Sequence, residues 1–260
     1  MDKAGISVVI HTYNAEEHLD KVLDSVAAFD EVLVVDMEST DRTVEIARRH
    51  GARVITFPRG THRIAEPARQ TGIDSATQPW VFEVDADEIV PPALTAYLKG
   101  VAASDDAPDG LWMPRRNFYM GHEMHAAYPD HILRFFRREG ATWGPQVHSM
   151  PQVPGRVERI PSRRRDLALI HLANEDPDAR AAKDLRYSDY EVARKEARRR
   201  HPATDLLWRP AYTFMRRYLL KGGWRDGAPG LAFAAQGACN EALICCKLIN
   251  RKKGRKDVRY

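Results

Sequence analysis

The sequence predicts an α/β fold for its first half, on three observations. Short β-branched runs alternate with segments of helical period, and each run and helix has a length that suits a βαβ unit. The chain has 260 residues, 43% of them hydrophobic, which is enough to fill the core of a large domain and excludes a disordered chain. Strands separated by helices imply βαβ units and a parallel sheet, and ligands of such sheets gather past the carboxyl ends of the strands. The residues just after each strand are therefore the first candidates for a site.

The elements follow in order. Ile6 to Ile10 is the first strand, and Ala15 to Phe29 a helix whose Leu19, Val22, Leu23 and Val26 fall at i, i+3, i+4 and i+7. Glu31 to Val35 is the second strand, followed by a helix over Thr43 to His50 with Val44 and Ala47 on one side. Arg53 to Phe57, Ala65 to Ser75 and Trp80 to Val84 continue the pattern as strand, helix and strand. From Gly110 the rhythm changes. Leu111 to Arg116 and Ile132 to Arg137 read as strands around a long loop, Asn117 to His131, rich in aromatic, His and Gly residues, and loops of that length are usually functional. A last strand is expected near Leu167 to Leu172, after which the chain turns helical and basic. Domains are expected at 1–172 and 173–260.

The net charge of +4 hides an asymmetry: up to Gly110 there are 10 Lys and Arg against 20 Asp and Glu, and beyond it 30 against 16. A basic half implies an anionic partner. The three cysteines, Cys239, Cys245 and Cys246, share one late apolar segment, which is no disulfide framework and predicts a reduced, cytoplasmic chain. The opening Met1-Asp2-Lys3-Ala4-Gly5 runs directly into a strand, predicting no secretory leader. Gly230 to Ile249 is apolar but interrupted by Gln236, Asn240, Glu241 and Lys247, predicting a helix that does not span a membrane.

Chemistry concentrates at three strand ends. Val81-Phe82-Glu83-Val84-Asp85-Ala86-Asp87-Glu88 is an apolar strand closing on Asp-x-Asp, and two such carboxylates can share a hard divalent cation with phosphate oxygens. The alternative reading makes Asp87 a cap of the turn before Pro91-Pro92 and Asp85 a solvated side chain. After the first strand comes His11-Thr12-Tyr13-Asn14-Ala15-Glu16-Glu17, which also reads as a capping box with Asn14 at N-cap and Glu17 at N3. After the second, Asp36 stands at the strand end, able to accept from a base N–H or a ribose hydroxyl, and Asp41 reads as an N-cap.

With these pieces in order, the chain resembles the family 2 glycosyltransferases, inverting enzymes of the GT-A fold. The resemblance rests on Val8 to Asn14, Val34 to Thr43, Ala68-Arg69-Gln70 and Val84 to Glu88. Pro114-Arg115-Arg116, Tyr128 to Arg138, Val147-His148 and Arg216 to Gly223 look like the subgroup that builds lipopolysaccharide core and similar envelope glycans. The resemblance implies a nucleotide-diphospho-sugar transferase with a Rossmann-like mixed sheet and a helical C-terminal extension. It implies transfer from a nucleotide-sugar, a UDP-sugar, to a hydroxyl of an envelope glycan or lipid-linked acceptor, assisted by a divalent cation, Mg²⁺ or Mn²⁺. It places Thr12, Tyr13, Asn14 and Glu17 in the nucleotide pocket, Asp36 at the base, Arg69 at the diphosphate or sugar, Asp85 at the ribose or metal, and Asp87 at the metal. Glu38 and Gln70 depart from the family's usual residues, and Ser149 follows Val147-His148 where many relatives place an acid.

Inverting transfer needs a base for the acceptor hydroxyl. Asp130 and His148 are the two candidates, each with a plain alternative: Asp130 as a turn residue after Pro129, His148 as a packing histidine. His171 reads as a core histidine or as completing the metal shell. His122-Glu123-Met124-His125 lacks the His-Glu-x-x-His spacing and is read as no zinc site. Other functions fit less well. Asp85 to Val90 matches the nucleophile strand of haloacid-dehalogenase-type phosphatases, but three βα units precede it; a nucleotidyltransferase wants a Gly-rich loop where His11 to Asn14 stands. A nucleic-acid module would use the basic half, but the acidic half would repel phosphates, so no nucleic-acid partner is expected. Trp208, Tyr212, Phe214, Tyr218 and Trp224 interleave with Arg209, Arg216, Arg217 and Lys221, and a basic tail follows from Lys247 to Arg259. That pattern predicts peripheral attachment to an anionic membrane surface, the inner face of the cell membrane.

Overall fold

The computed structural model describes residues 4–62, 64–145, 149–196 and 201–253. The chain divides into two compact units, Met1–Arg116 with Pro129–Leu172, and Asn117–Tyr128 with Ala173–Tyr260.

The first unit carries β1 (Ile6–Thr12), α1 (Leu19–Val26), β2 (Glu31–Asp36), α2 (Thr43–Arg49), β3 (Arg53–Thr56), α3 (Glu66–Ser75), β4 (Trp80–Asp85), β5 (Glu88–Ile89), α4 (Pro92–Ala102) and β6 (Gly110–Met113). β7 (Arg115–Tyr119) and β8 (His122–Glu123) lead into a short 3-10 turn, followed by β9 (Ile132–Arg137), β10 (Thr142–Trp143), β11 (Pro151–Gln152), β12 (Val157–Arg159) and β13 (Leu169–Glu175). The main sheet has seven strands in the order β12-β6-β9-β4-β1-β2-β3. β4, β1, β2 and β3 run parallel, while β9 is antiparallel to both β4 and β6. The sheet is therefore mixed, as the family resemblance implies, and not the parallel sheet that the strand–helix alternation alone predicts, because β9 follows no α-helix and inserts antiparallel between β4 and β6.

Period-two alternation sorts β1 between two cores. Ile6, Val8 and Ile10 pack with Trp80 and Phe82 against α1, α2 and α4. Val9 packs with Leu33, Val35 and Val81 against Ala68 and Ile73 of α3. Every residue of β1 is buried, as a strand covered on both faces must be. α3 lies so close to β1 that a Cβ on Gly72 would overlap Val9 Cγ1, so any side chain there forces one of the two to shift.

Three local expectations change. The first helix begins at Leu19, not Ala15, with no side-chain cap at its N-terminus, so the capping box of Asn14 and Glu17 is absent. The reason is that Asn14 is left-handed, with φ 49°. The expected strand Leu111 to Arg116 breaks at Pro114 into β6 and β7, since proline cannot donate to a ladder. The long loop contains a hairpin, Phe118↔Glu123 and Tyr119↔His122, turned by Met120 (φ 51°) and Gly121 (φ 75°), the positive-φ pair such a two-residue turn requires.

The second unit is helical: α5 (Pro177–Glu196), α6 (Pro202–Met215) and α7 (Gly227–Lys253). α6 continues as a π-helical turn, Arg216–Leu220. Among the described residues no helix is long and apolar enough to cross a membrane.

Candidate active site

β4 and β2 flank β1 on opposite sides, so the chain reverses its direction of strand addition at β1, and a crevice opens past the carboxyl ends there. The loops after β1 and β2 are stitched together across it. Asp36, 2% exposed, accepts from the Thr12 hydroxyl at 2.9 Å and from the Ser39 amide at 2.9 Å and hydroxyl at 2.5 Å. Ser39 Oγ in turn accepts from the Asn14 amide, and Asn14 Oδ1 accepts from the Thr40 amide at 2.8 Å. Asn14 spends its side chain on this cross-link, which is why its backbone turns left-handed instead of opening a helix. Asp41 accepts from the amides of Thr43 and Glu16 but is not the N-cap expected of it: that position of α2 falls to Arg42, with no side-chain cap.

A cavity of about 300 Å³ lies here, lined by Tyr13, Asn14 and Glu17 on one side and by Ala86 and Asp87 on the other. A smaller one of about 100 Å³ adjoins Thr12, Tyr13, Met37 and Arg59. The Arg59 guanidinium lies over the half-exposed Tyr13 ring, 3.5 Å from its centroid. Tyr13, Asn14, Glu17 and Asp87 thus line the larger cavity and Thr12 the smaller, while Asp36 lines neither and is buried beside Thr12, to which it is bonded.

Behind it sits a buried charge network. Arg69, 8% exposed, donates to Glu83 Oε2 and Asp85 Oδ1, both at 2.9 Å, and stacks over Trp143. Arg134 donates to Asp85 Oδ2, and His11 Nδ1 lies 3.2 Å from Glu83. Burial works to raise the Asp85 carboxyl, but Arg134, Arg69 and Arg115 outweigh it and hold Asp85 well below the usual carboxylate range. For Glu83 burial is again opposed, by His11, Arg69 and Arg134, with the same net direction. Arg69, expected at the diphosphate or the sugar, donates to two carboxylates, and both Asp85 oxygens accept from arginines, which fixes the Asp85 side chain in place.

Asp87 differs. Its carboxylate is 35% exposed at the 300 Å³ cavity, and Oδ2 lies 3.2 Å from His171 Nε2. The pairing of β13 with β5, His171↔Glu88, brings the two together, and the Leu172 amide donating to the Asp87 carbonyl fixes the register. A carboxylate oxygen beside an imidazole nitrogen, opening on a cavity, fits a divalent cation with places left for phosphate oxygens.

Asp130 is held by Arg115, whose Nε and Nη2 donate to Oδ2 at 3.0 and 2.6 Å, while Nη1 reaches Glu88 at 2.9 Å. Burial tends to lower the Arg115 pKa, but Glu88, Asp130 and Asp85 more than reverse it, so this guanidinium stays charged. His148 lies outside the described residues. The sequence reading missed Arg59, Arg115, Arg134 and Glu83. Arg134 had a signal, a charge inside the apolar run Ile132-Leu133-Arg134-Phe135-Phe136; Arg59, in an irregular segment, had none.

Residues 7–153 match glycosyl transferase family 2. The chain belongs to this family. It is a glycosyltransferase, and its mixed sheet with C-terminal helices is the fold that membership carries. It is 27% identical over 259 residues to the lipopolysaccharide core biosynthesis glycosyltransferase LpsC of Rhizobium meliloti (strain 1021), covering 96% of this chain and 93% of that one. An uncharacterized glycosyltransferase of Mycobacterium bovis is 43% identical over 82 residues, 32% of this chain and 36% of that one. Among solved structures, glucosyl-3-phosphoglycerate synthase from Mycobacterium tuberculosis, in complex with Mn²⁺, UDP and glucosyl-3-phosphoglycerate, is 28% identical with a TM-score of 0.36, covering 45% of this chain and 44% of that one.

Proposed function

We propose that this glycosyltransferase moves a sugar from a nucleotide-diphospho-sugar, a UDP-sugar, to a hydroxyl of an envelope glycan or lipid-linked acceptor, with inversion. The observation that carries the reading is that Tyr13, Asn14, Glu17 and Asp87 line one cavity past the carboxyl ends of β1 and β4, with Asp36 bonded to Thr12 at the end of β2 and His171 beside Asp87. Asp36, buried and fixed by Thr12 and Ser39, would reach the base only through the lone pair these bonds leave on Oδ2; Tyr13, backed by Arg59, offers a ring for the base to stack on. Asp87 and His171 would hold Mg²⁺ or Mn²⁺, which supplies charge neutralisation for the departing diphosphate. Asp85 fixes the strand end between Arg69 and Arg134, so that Asp87 is displayed at one place.

Asp130 is the proposed base. It takes the acceptor hydroxyl proton as that oxygen bonds to the anomeric carbon and the bond to the diphosphate breaks on the opposite face. Arg115 holds its carboxylate in place through two hydrogen bonds. The acceptor class is supported by the likeness to LpsC over nearly the whole chain and by the second unit. There Leu207, Trp208, Tyr212, Met215, Leu219, Leu220 and Trp224 are exposed among Arg209, Arg216 and Lys221. Residues 1–172 would be catalytic and 173–260 membrane-proximal, placing the enzyme peripherally on the cytoplasmic face.

The test is nucleoside diphosphate release with Mn²⁺ or Mg²⁺, a panel of nucleotide-sugars and truncated envelope glycans or lipid-linked sugars as acceptors. Release that depends on a UDP-sugar and on cation is expected. Release with another nucleotide only would overturn the donor assignment, and silence across every donor and acceptor would overturn the reading.

A further inference from the structure

The second unit contains a cluster of side chains with no place in the transfer reaction. The sequence offers only His122 and His125, three apart, which by themselves make no metal site. The fold supplies a third group from about a hundred residues later in the chain: Asp226, at the end of the 3-10 turn Gly223–Asp226. Its side chain is fully buried, and a buried carboxylate is costly unless its charge is met. Asp226 Oδ1 accepts from the His125 amide at 2.9 Å and Oδ2 from the Ala126 amide at 3.0 Å. Oδ1 also lies 2.6 Å from His125 Nδ1 and 3.6 Å from His122 Nε2. The three ligand atoms all fall within 4.8 Å of one another.

Two imidazole nitrogens and one carboxylate oxygen are a ligand set for Zn²⁺, at about 2.0–2.2 Å from the metal, so ligand atoms around a tetrahedral ion stand roughly 3.3–3.5 Å apart. The His122–Asp226 distance is already close to that. The His125–Asp226 distance has to widen by under about 1 Å on the same geometry, and the His125 side chain is 38% exposed and able to turn. The two amides that hold the Asp226 carboxylate do for it what outer hydrogen bonds do for metal ligands elsewhere: they fix its direction before the ion arrives. Two imidazoles select a borderline ion over Mg²⁺, which prefers an oxygen shell.

We propose that His122, His125 and Asp226 form a Zn²⁺ site, with water completing the shell, that clips the hairpin segment Asn117–Tyr128 to the turn Gly223–Asp226 within the second unit. The proposal uses none of the donor-pocket residues and stands independently of the sugar-transfer reading.

The experiment uses the full chain carrying Asp87→Ala, to silence the expected donor-site cation, stripped with chelator and titrated with Co²⁺ and then Zn²⁺. One equivalent of Co²⁺ with visible d–d absorption, displaced by Zn²⁺, is expected. His122→Ala in the same background should remove the absorption and weaken Zn²⁺ binding at least about tenfold. His122 is exposed and sits beyond hydrogen-bond reach of Asp226, so this variant should keep its circular dichroism and melting temperature. Absence of stoichiometric binding, affinity unchanged by His122→Ala, or a Co²⁺ spectrum dominated by thiolate charge transfer from the exposed Cys239 and Cys246 would each overturn it.

Discussion

Asp85 and Asp87 stand one residue apart, and their surroundings divide their work. Asp85 is tied on both oxygens by Arg69 and Arg134, whereas Asp87 meets the cavity beside His171. Asp87→Asn, nearly isosteric and partly exposed, is expected to lower cation-dependent turnover by about a hundredfold or more, as loss of several kcal/mol of charge stabilisation would. Its urea midpoint should stay near that of the wild type, the usual result for a change outside the core. Asp130→Asn is expected to reduce kcat by about 10²–10⁴ while leaving the donor KM unchanged, since a base acts on the acceptor; steady-state kinetics at saturating acceptor separate the two constants. Asp85 and Glu83 both have folded-state pKa values below the usual carboxylate range, so the unfolded chain, whose carboxyls titrate near about 3.9–4.3, binds more protons in acid. The stability they lend is complete above that range and is lost as pH falls below it toward their folded values. Urea midpoints measured between pH 7 and pH 3 should hold steady to about pH 5 and then drop, and the drop should be shallower in Asp85→Asn, which starts from a lower midpoint.

At the scale of elements, what the sequence makes legible is whatever burial periodicity dictates. Leu19, Val22, Leu23 and Val26 are all buried as their spacing requires, and the alternation of β1 between two cores is written in Ile6 to Ile10. The helix start is not legible, because Asn14 is chemically suited to capping a helix and to bridging to Thr40, and only the β2 loop, brought alongside by parallel pairing, decides between them. Likewise Arg69 looks like a ligand-facing residue of α3 until Glu83 and Asp85 of β4 are set beside it. Gly72 is a third case: nothing local distinguishes it, yet α3 meets β1 there without room for a methyl group. Gly72→Ala should therefore destabilise the first unit by about 1–3 kcal/mol, the range for overpacking a tight contact, in spite of the gain in helix propensity that alanine brings. A chemical-denaturation midpoint equal to or above the wild type would refute that close approach.

At the scale of the whole molecule, the acidic beginning and basic remainder of the sequence correspond to different chemistry. The acidic stretch supplies the carboxylates of the crevice, several of them already neutralised by arginine, while the excess of Lys and Arg falls largely on the helical unit. What sequence alone could not show is which apolar side chains of α6 and its π-helical extension face outward: Leu207 is 82% exposed and Leu220 77%, and apolar side chains grouped at a surface mark an interaction site. Aromatic and aliphatic side chains at the surface, rimmed by Arg209, Arg216 and Lys221, suit the proposed attachment to an anionic bilayer, in which the apolar groups would enter the headgroup boundary and each cation near the surface would contribute about 1 kcal/mol. Co-sedimentation with vesicles of phosphatidylglycerol and phosphatidylethanolamine should then retain the protein at low salt. Leu207→Asp with Leu220→Asp should abolish retention, whereas Arg216→Gln with Lys221→Gln should weaken it and flatten its salt dependence. Both variants should keep turnover on a short soluble acceptor, because the crevice of the first unit is untouched. Equal retention of the double leucine variant, or equal retention on purely zwitterionic vesicles, would show that these side chains face something other than an anionic membrane.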